Sequence, residues 1–340
     1  MLRLLFCGSI FFCIISCRKK IEHEVGKEVS YSAVIYNDGS TWNKISPIEI
    51  DTVNALEIFG NEMYFGGNFS GSAYLGKMNT SGDFFNPAMG NFTLNGINDL
   101  ETFNGKLIAA GNFSFAEQSS GLISKNVMSL SESGIIEPIP FSTNDTSVIY
   151  HLNLYNDELL VAGKFAPESG SLCVSGNRDI YNGVSCSGYG SGYVVYATAD
   201  NNGAGLYSAF GTAGLPNINY PSKTPFDEIY DVCYFNNVLY FFGKFQNNAA
   251  VMSKAGTGWK IHGSITSLTG SRTYGGFKVI GNEFFVFGNG LLLNGEQTSN
   301  VLKLGSQVWT PIGELHVEVR DIIYFNGRLY AATTDGIYEF

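Results

Sequence analysis

Apolar and polar residues alternate over short stretches along most of the chain. Nowhere do apolar positions recur at i, i+3, i+4 and i+7 for long enough to predict a helix. The alternating stretches come in pairs. Six segments align without a gap, beginning at Val53, Ile97, Ile149, Ile229, Tyr274 and Val319. Each reads as a strand, two turn residues and a second strand. The turn pairs are Gly60-Asn61, Asn104-Gly105, Asn156-Asp157, Asn236-Asn237, Gly281-Asn282 and Asn326-Gly327. Asn and Gly tolerate the positive φ that two-residue hairpins require. The second strand usually closes on Gly, then Asn or Lys, then Phe, which marks a tight exit.

A second hairpin follows most of these, clearest from Ala250 to Trp259 and from Asn300 to Trp309, looser after Lys125 and Gly192. The same pattern stands ahead of the first full repeat, from Ala33 to Trp42. The period is about 45 residues, with one interval of about 80 between Ile149 and Ile229. Four strands per period predicts an all-β fold, a single β-propeller of six blades with four antiparallel strands each. Seven blades is the alternative, because Gly336–Phe340 reads as a third strand and competes with Ala33–Tyr36 for one place. The N-terminal half-blade is expected to close the ring and remove open edges. The elements FNGKLIAAGNF and AVIYNDGSTWNKI resemble bacterial kelch-like propeller repeats, of the kind found in Bacteroidetes-type envelope proteins and fungal cortical polarity markers. That resemblance implies the fold and says little about activity.

The first residues read differently. Arg3 precedes an almost wholly apolar run from Leu4 to Ile15, and Ile14-Ile15-Ser16-Cys17 follows. This is the layout of a secretory signal. It resembles the lipobox of bacterial lipoproteins, which implies removal of residues 1–16, palmitate-type acylation of Cys17 and membrane attachment through that lipid. As a membrane-spanning anchor the run is too short, covering about 18 Å against a hydrocarbon core of roughly 30 Å. Residues 17–30 are charge-dense and read as a flexible tether. Residues 31–340 are left for the propeller, with an insertion at 166–191. The expected location is the cell envelope, at the outer membrane, since Arg18 is not the aspartate that retains enterobacterial lipoproteins inside.

Composition narrows the function classes. The formal net charge is −10 at pH 7, which argues against nucleic acid, whose phosphates need clustered Lys and Arg. Cys173 and Cys186 are the pair expected to form a disulfide in an exported protein. Cys233, in an apolar strand-like run, reads as a buried thiol. No CxxC pair occurs and His23, His151, His262 and His316 are scattered, so no metal is expected. No cofactor motif is present.

Two sets of residues could carry chemistry. The segment 166–191 holds Arg178, Asp179, Tyr181, Asn182 and Tyr189, side chains suited to a glycan or an envelope protein. The third position of each first strand holds Ala55, Asp99, His151, Asp231, Gly276 and Asp321. The fourth positions are apolar and predicted to pack between blades, which turns the third toward the channel mouth. Such a ring could bind a cation or act as acid and base; more often one binds backbone amides and water at the channel mouth. The sequence therefore predicts a lipid-anchored, non-catalytic binding or scaffolding module. The alternative is a carbohydrate-active hydrolase or lyase using the ring carboxylates.

Overall fold

The computed structural model describes residues 41–46, 51–69, 72–85, 91–116, 123–137, 148–155, 158–164, 171–174, 177–182, 184–190, 193–200, 203–210, 222–223, 228–236, 238–245, 248–255, 258–267, 275–306 and 308–340. The regular elements among them are strands, arranged in seven antiparallel sheets. Sheet one is Thr52–Phe59, Glu62–Phe69, Ser72–Met78 and Phe84–Phe85. Sheet two is Asn91–Phe103, Lys106–Ala116, Ile123–Ser131 and Ile136–Glu137. Sheet three is Val148–Tyr155, Glu158–Lys164, Ser171–Val174 and Asn177–Asn182. Sheet four is Val184–Gly190, Tyr193–Asp200, Gly203–Phe210 and Ser222–Lys223. Sheet five begins Glu228–Phe235, Val238–Phe245, Asn248–Ala255 and Gly258–Ser267. Sheet six is Gly275–Ile280, Glu283–Gly288, Val301–Leu304 and Trp309–Pro311. Sheet seven is Val319–Phe325, Arg328–Thr333, Gly336–Glu339 and, from the other end of the chain, Asn43–Lys44.

Repeat counting expects six sheets, with seven as the alternative; the described strands form seven. The additional one lies in the long interval between Ile149 and Ile229. Ser171–Val174 and Asn177–Asn182 complete sheet three, and Val184–Gly190 opens sheet four. Much of the segment expected as an insertion is therefore strand. Two local features hid it. Ser187 stands where other first strands carry an apolar fourth residue, and Ser191-Gly192 replaces the Asn-containing turn.

The first strands stand against one another in chain order, and Val319–Phe325 stands against Thr52–Phe59. Gly336–Glu339 is the third strand of sheet seven and Asn43–Lys44 the fourth, with Asn43 opposite Glu339 and Lys44 opposite Tyr338; Ala33–Tyr36, expected to compete for one place with Gly336–Phe340, lies outside the described residues. Trp42 secures this junction. Its Nε1 donates to the Ile312 carbonyl at 2.7 Å, and its ring lies 5.2 Å from Phe340. Residues 31–40 and the signal and tether segments, 1–30, lie outside the described residues.

The first hairpins are as the turn residues predict. Phe59 pairs with Glu62, Phe103 with Lys106 and Phe325 with Arg328, leaving two residues per turn. Asn104 and Gly105 take φ of 50° and 70°, and Asn326 and Gly327 take 49° and 79°. The fourth positions of the first strands pack between sheets, also as expected. Leu100 meets Tyr64 and Leu75 of sheet one, and Phe277 meets Tyr240 and Phe242 of sheet five. Ile322 meets Phe285 and Phe287 of sheet six, and Leu56 meets Ile323 and Tyr330 of sheet seven. Burying one such side chain contributes about 1.5–3 kcal/mol.

One connection adds to a neighbour. The chain between the second and third strands of sheet six forms Leu291–Leu293 and Glu296–Gln297, which extend sheet five beyond Gly258–Ser267. Ile265 pairs with Leu293 and Ser267 with Leu291, so this segment is seated on its neighbour rather than left as a free loop.

Candidate functional site

A bulge in the first strand creates the site. The register slips between Val53 and Ala55, Ile97 and Asp99, Ile149 and His151, Val184 and Cys186, Ile229 and Asp231, and Val319 and Asp321. Such a slip sets two residues against one and re-aims the side chain that follows. In sheet six, Gly276 opposite Phe287 occupies the equivalent place. The third positions thus form one ring of seven, and the missing member in the sequence alignment is Cys186.

The carboxylates of this ring share one bonding pattern. Asp99 Oδ1 accepts the amide of its own successor, Leu100, at 2.9 Å; its Oδ2 accepts the Leu152 amide of the next sheet at 2.9 Å. Asp231 accepts the amides of Val232 and, one sheet on, Phe277, both at 2.8 Å. Asp321 accepts Ile322 at 2.9 Å and Leu56 of sheet one at 3.0 Å. Amide bonds to a carboxylate are charge-assisted, each worth about 1.5–3 kcal/mol. The carboxylates rivet neighbouring sheets.

Asp321 has a further partner that the sequence reading missed. Lys278 Nζ lies 2.9 Å and 3.1 Å from its two oxygens, and both side chains are buried. The available signal was a lone Lys two residues after Gly276, on the same side of an otherwise apolar strand. Gly276 itself is explained by its neighbour. A Cβ there would lie 2.7 Å from Asp231 Oδ2, in the space through which that carboxylate reaches Phe277. Two asparagines act beside the ring, also unforeseen. Asn54 Nδ2 donates to the Ile97 carbonyl at 2.8 Å and Asn98 Nδ2 to the Ile149 carbonyl at 2.7 Å.

His151, like Asp231, is a partly exposed ring member. Its side chain is 30% exposed, and Nδ1 lies 3.7 Å from Asp99 Oδ2. Among the described residues no group of three or more His, Cys, Asp or Glu is placed to hold a metal ion. A second charged cluster joins sheets six and seven at the strand ends. Arg320 and Asn289 both reach Glu318, at 2.5 Å and 3.3 Å. Burial pushes the Glu318 carboxyl above its ordinary value, and Arg320 pulls it part of the way back.

The expected recognition residues are divided between elements. Arg178, Asp179, Tyr181 and Asn182 stand on the fourth strand of sheet three, with Tyr181 opposite Leu172. Tyr189 stands on the first strand of sheet four, opposite Val194. Cys173 and Cys186 likewise belong to sheets three and four. The side chains of these seven residues lie outside the described residues.

Comparison with solved structures places this architecture. The Dos1 propeller matches with a TM-score of 0.51 at 13% identity, covering 88% of this chain and 93% of that one. The fold is a β-propeller. Weaker matches are Sqt1 of Chaetomium thermophilum bound to the N-terminus of a ribosomal protein, TM-score 0.48 at 12% identity over 88% and 100% of the chains, and BamB of Moraxella catarrhalis, TM-score 0.45 at 13% identity over 85% and 82%. No protein-family model and no curated protein matches. The four-stranded antiparallel sheets are blades of this fold, and the ring positions stand on their first strands.

Proposed function

We propose that this protein is a lipid-anchored binding or scaffolding propeller of the cell envelope, which recognises a glycan or a protein partner without catalysis. The observation that carries the reading is the bonding of Asp99, Asp231 and Asp321. A hydrolase or lyase working through the channel needs a carboxylate able to exchange a proton with substrate. Each of these accepts two backbone amides and joins two blades, so protonation would loosen the ring. Arg178, Asp179, Tyr181 and Asn182 on the fourth strand of blade three and Tyr189 on the first strand of blade four are the residues this reading assigns to recognition. Attachment is through acylated Cys17, at the outer membrane.

Two experiments test this. Cys17→Ser should release the protein from the membrane fraction and abolish palmitate incorporation; retained label and retained fractionation refute the anchor. A screen of envelope glycans and envelope proteins against the full chain should yield a partner whose affinity falls about ten- to hundredfold with Tyr181→Ala or Tyr189→Ala, the equivalent of losing one buried aromatic. Asp99→Asn should act on stability and leave that affinity unchanged. Tolerant tyrosines with partner binding lost on Asp99→Asn in folded protein would move recognition into the channel.

A further inference from the structure

The first strand of blade three holds two adjacent side chains on a backbone fixed from outside. Its bulge lies between Ile149 and His151, and the register gives Tyr150, between them, no partner in the ladder. Both ends of this stretch are tied to blade two. Asn98 Nδ2 donates to the Ile149 carbonyl at 2.7 Å, and Asp99 Oδ2 accepts the Leu152 amide at 2.9 Å. Tyr150 and His151 stand between the two clamps, their Cα atoms about 3.8 Å apart as in any trans peptide. The same two places in blade two belong to Asn98 and Asp99, and both of those side chains reach blade three. The bulge thus sends both side chains to one side of the strand, and by the same register Tyr150 and His151 project together.

Other blades use these places for structure. Asn54 and Asn98 donate to a carbonyl of the next first strand, and Asp99, Asp231 and Asp321 accept amides. Blade six has Gly275 and Gly276, and Arg320 of blade seven is paired with Glu318. In blade three both side chains keep open surface: Tyr150 is 41% exposed and the His151 side chain 30%. The imidazole has a carboxylate behind it, with Nδ1 3.7 Å from Asp99 Oδ2.

We propose that Tyr150 and His151 form a subsite for one neutral pyranose ring. The exposed phenol ring supplies an apolar face, which suits the C–H face of a sugar. The imidazole can donate and accept, so a sugar hydroxyl bonds to its Nε2. The Asp99 carboxylate beside the imidazole and the net charge of −10 act against an anionic ligand. The clamps at Ile149 and Leu152 fix the backbone before any ligand arrives, so binding carries little ordering cost. One ring on one aromatic platform binds on the order of millimolar. This subsite is separate from the residues that the proposed function assigns to recognition on blades three and four.

The test titrates methyl glycosides of glucose, galactose, mannose and N-acetylglucosamine into the full chain, with glucuronate and glycerol beside them. The His151 ring signal, identified by its loss in His151→Gln, is followed by NMR, and heats are measured by calorimetry. At least one neutral glycoside should shift the signal saturably, and glycerol, which has no ring face, should leave it in place. Glucuronate should bind more weakly than that glycoside. Tyr150→Ala should weaken the response at least about tenfold, while Tyr150→Phe keeps the ring and should stay within about threefold of the parent. Because Tyr150 is exposed, both variants should keep the parent's urea midpoint. The proposal is overturned if no glycoside moves the His151 signal up to about 100 mM. It is equally overturned if glycerol or glucuronate matches the best glycoside, or if Tyr150→Ala binds as well as the parent. A glycoside that gives heat while the His151 signal stays in place overturns this subsite alone and leaves the recognition residues of blades three and four as its seat.

Discussion

Replacing Asp321 with Asn tests the rivet directly, because the side chain keeps its shape and loses its charge. Asp321 is 1% exposed and holds Ile322, Leu56 and Lys278 at once. In the variant the amide oxygen can still accept one backbone N–H. Its NH2 group then faces the other N–H or the ammonium, neither of which can accept. One buried amide left without an acceptor costs about 1–3 kcal/mol. Removing one partner of a buried ion pair costs about 3–5 kcal/mol, because the remaining charge is uncompensated. The two effects share an atom and do not add, so the expected loss is about 3–5 kcal/mol. Urea unfolding followed by tryptophan fluorescence gives the value. Lys278→Met in the same background removes the stranded ammonium, so the double variant should be more stable than Asp321→Asn alone. A loss below about 1 kcal/mol, or a double variant no better than the single, would refute the rivet.

The other consequences can be stated briefly. Trp42→Ala removes a buried indole and its bond to the Ile312 carbonyl, so the domain should lose about 3–5 kcal/mol in urea unfolding; a loss under about 1 kcal/mol would mean that the N-terminal strand does not brace blade seven. Gly276→Ala drives a methyl against Asp231 Oδ2 and should destabilise by about 1–3 kcal/mol, whereas a neutral result would show that the carboxylate can reach Phe277 by another path. His262 lies 3.0 Å from Ser253 Oγ and against Tyr240, and burial, then Lys260, holds its pKa below the ordinary 6.5. The folded state therefore binds fewer protons than the unfolded one near that value. Stability is intact above it and falls as the pH drops through it, so His262→Gln should flatten the urea midpoint between about pH 7 and 5, and an unchanged slope would count against this.

What the sequence reveals follows from where each signal resides. Hairpin turns are local. Asn104-Gly105 and Asn326-Gly327 state their backbone conformation in two letters, and the structure has the positive φ values they require. The apolar fourth positions were legible for a similar reason, since alternation along one strand fixes which side is buried. Blade four carries weaker versions of both signals, Ser187 and Ser191-Gly192, and was read as part of an insertion. The roles of Asn54, Asn98 and Lys278 are of another kind. They bond to residues 43, 51 and 43 positions away on another blade, and nothing within their own strands announces the partner. Asp99, Asp231 and Asp321 were visible as a ring; that each would join two blades required the bulge, which tilts the carboxylate toward the neighbouring amide.

The spacing of the three aspartates then has a physical reason. A carboxylate at this position covers its own blade and the next, so two in succession would compete for one amide and set like charges side by side. The residue following each Asp around the ring is accordingly not acidic: Ala55 follows Asp321, Gly276 follows Asp231 and His151 follows Asp99. Pairs cannot tile an odd ring. With seven blades at most three such clamps fit without conflict, and one blade is left whatever arrangement is chosen. In this chain the remaining blade is the fourth, whose ring position is Cys186. Six blades would have allowed the ring to close on itself with its own side chains.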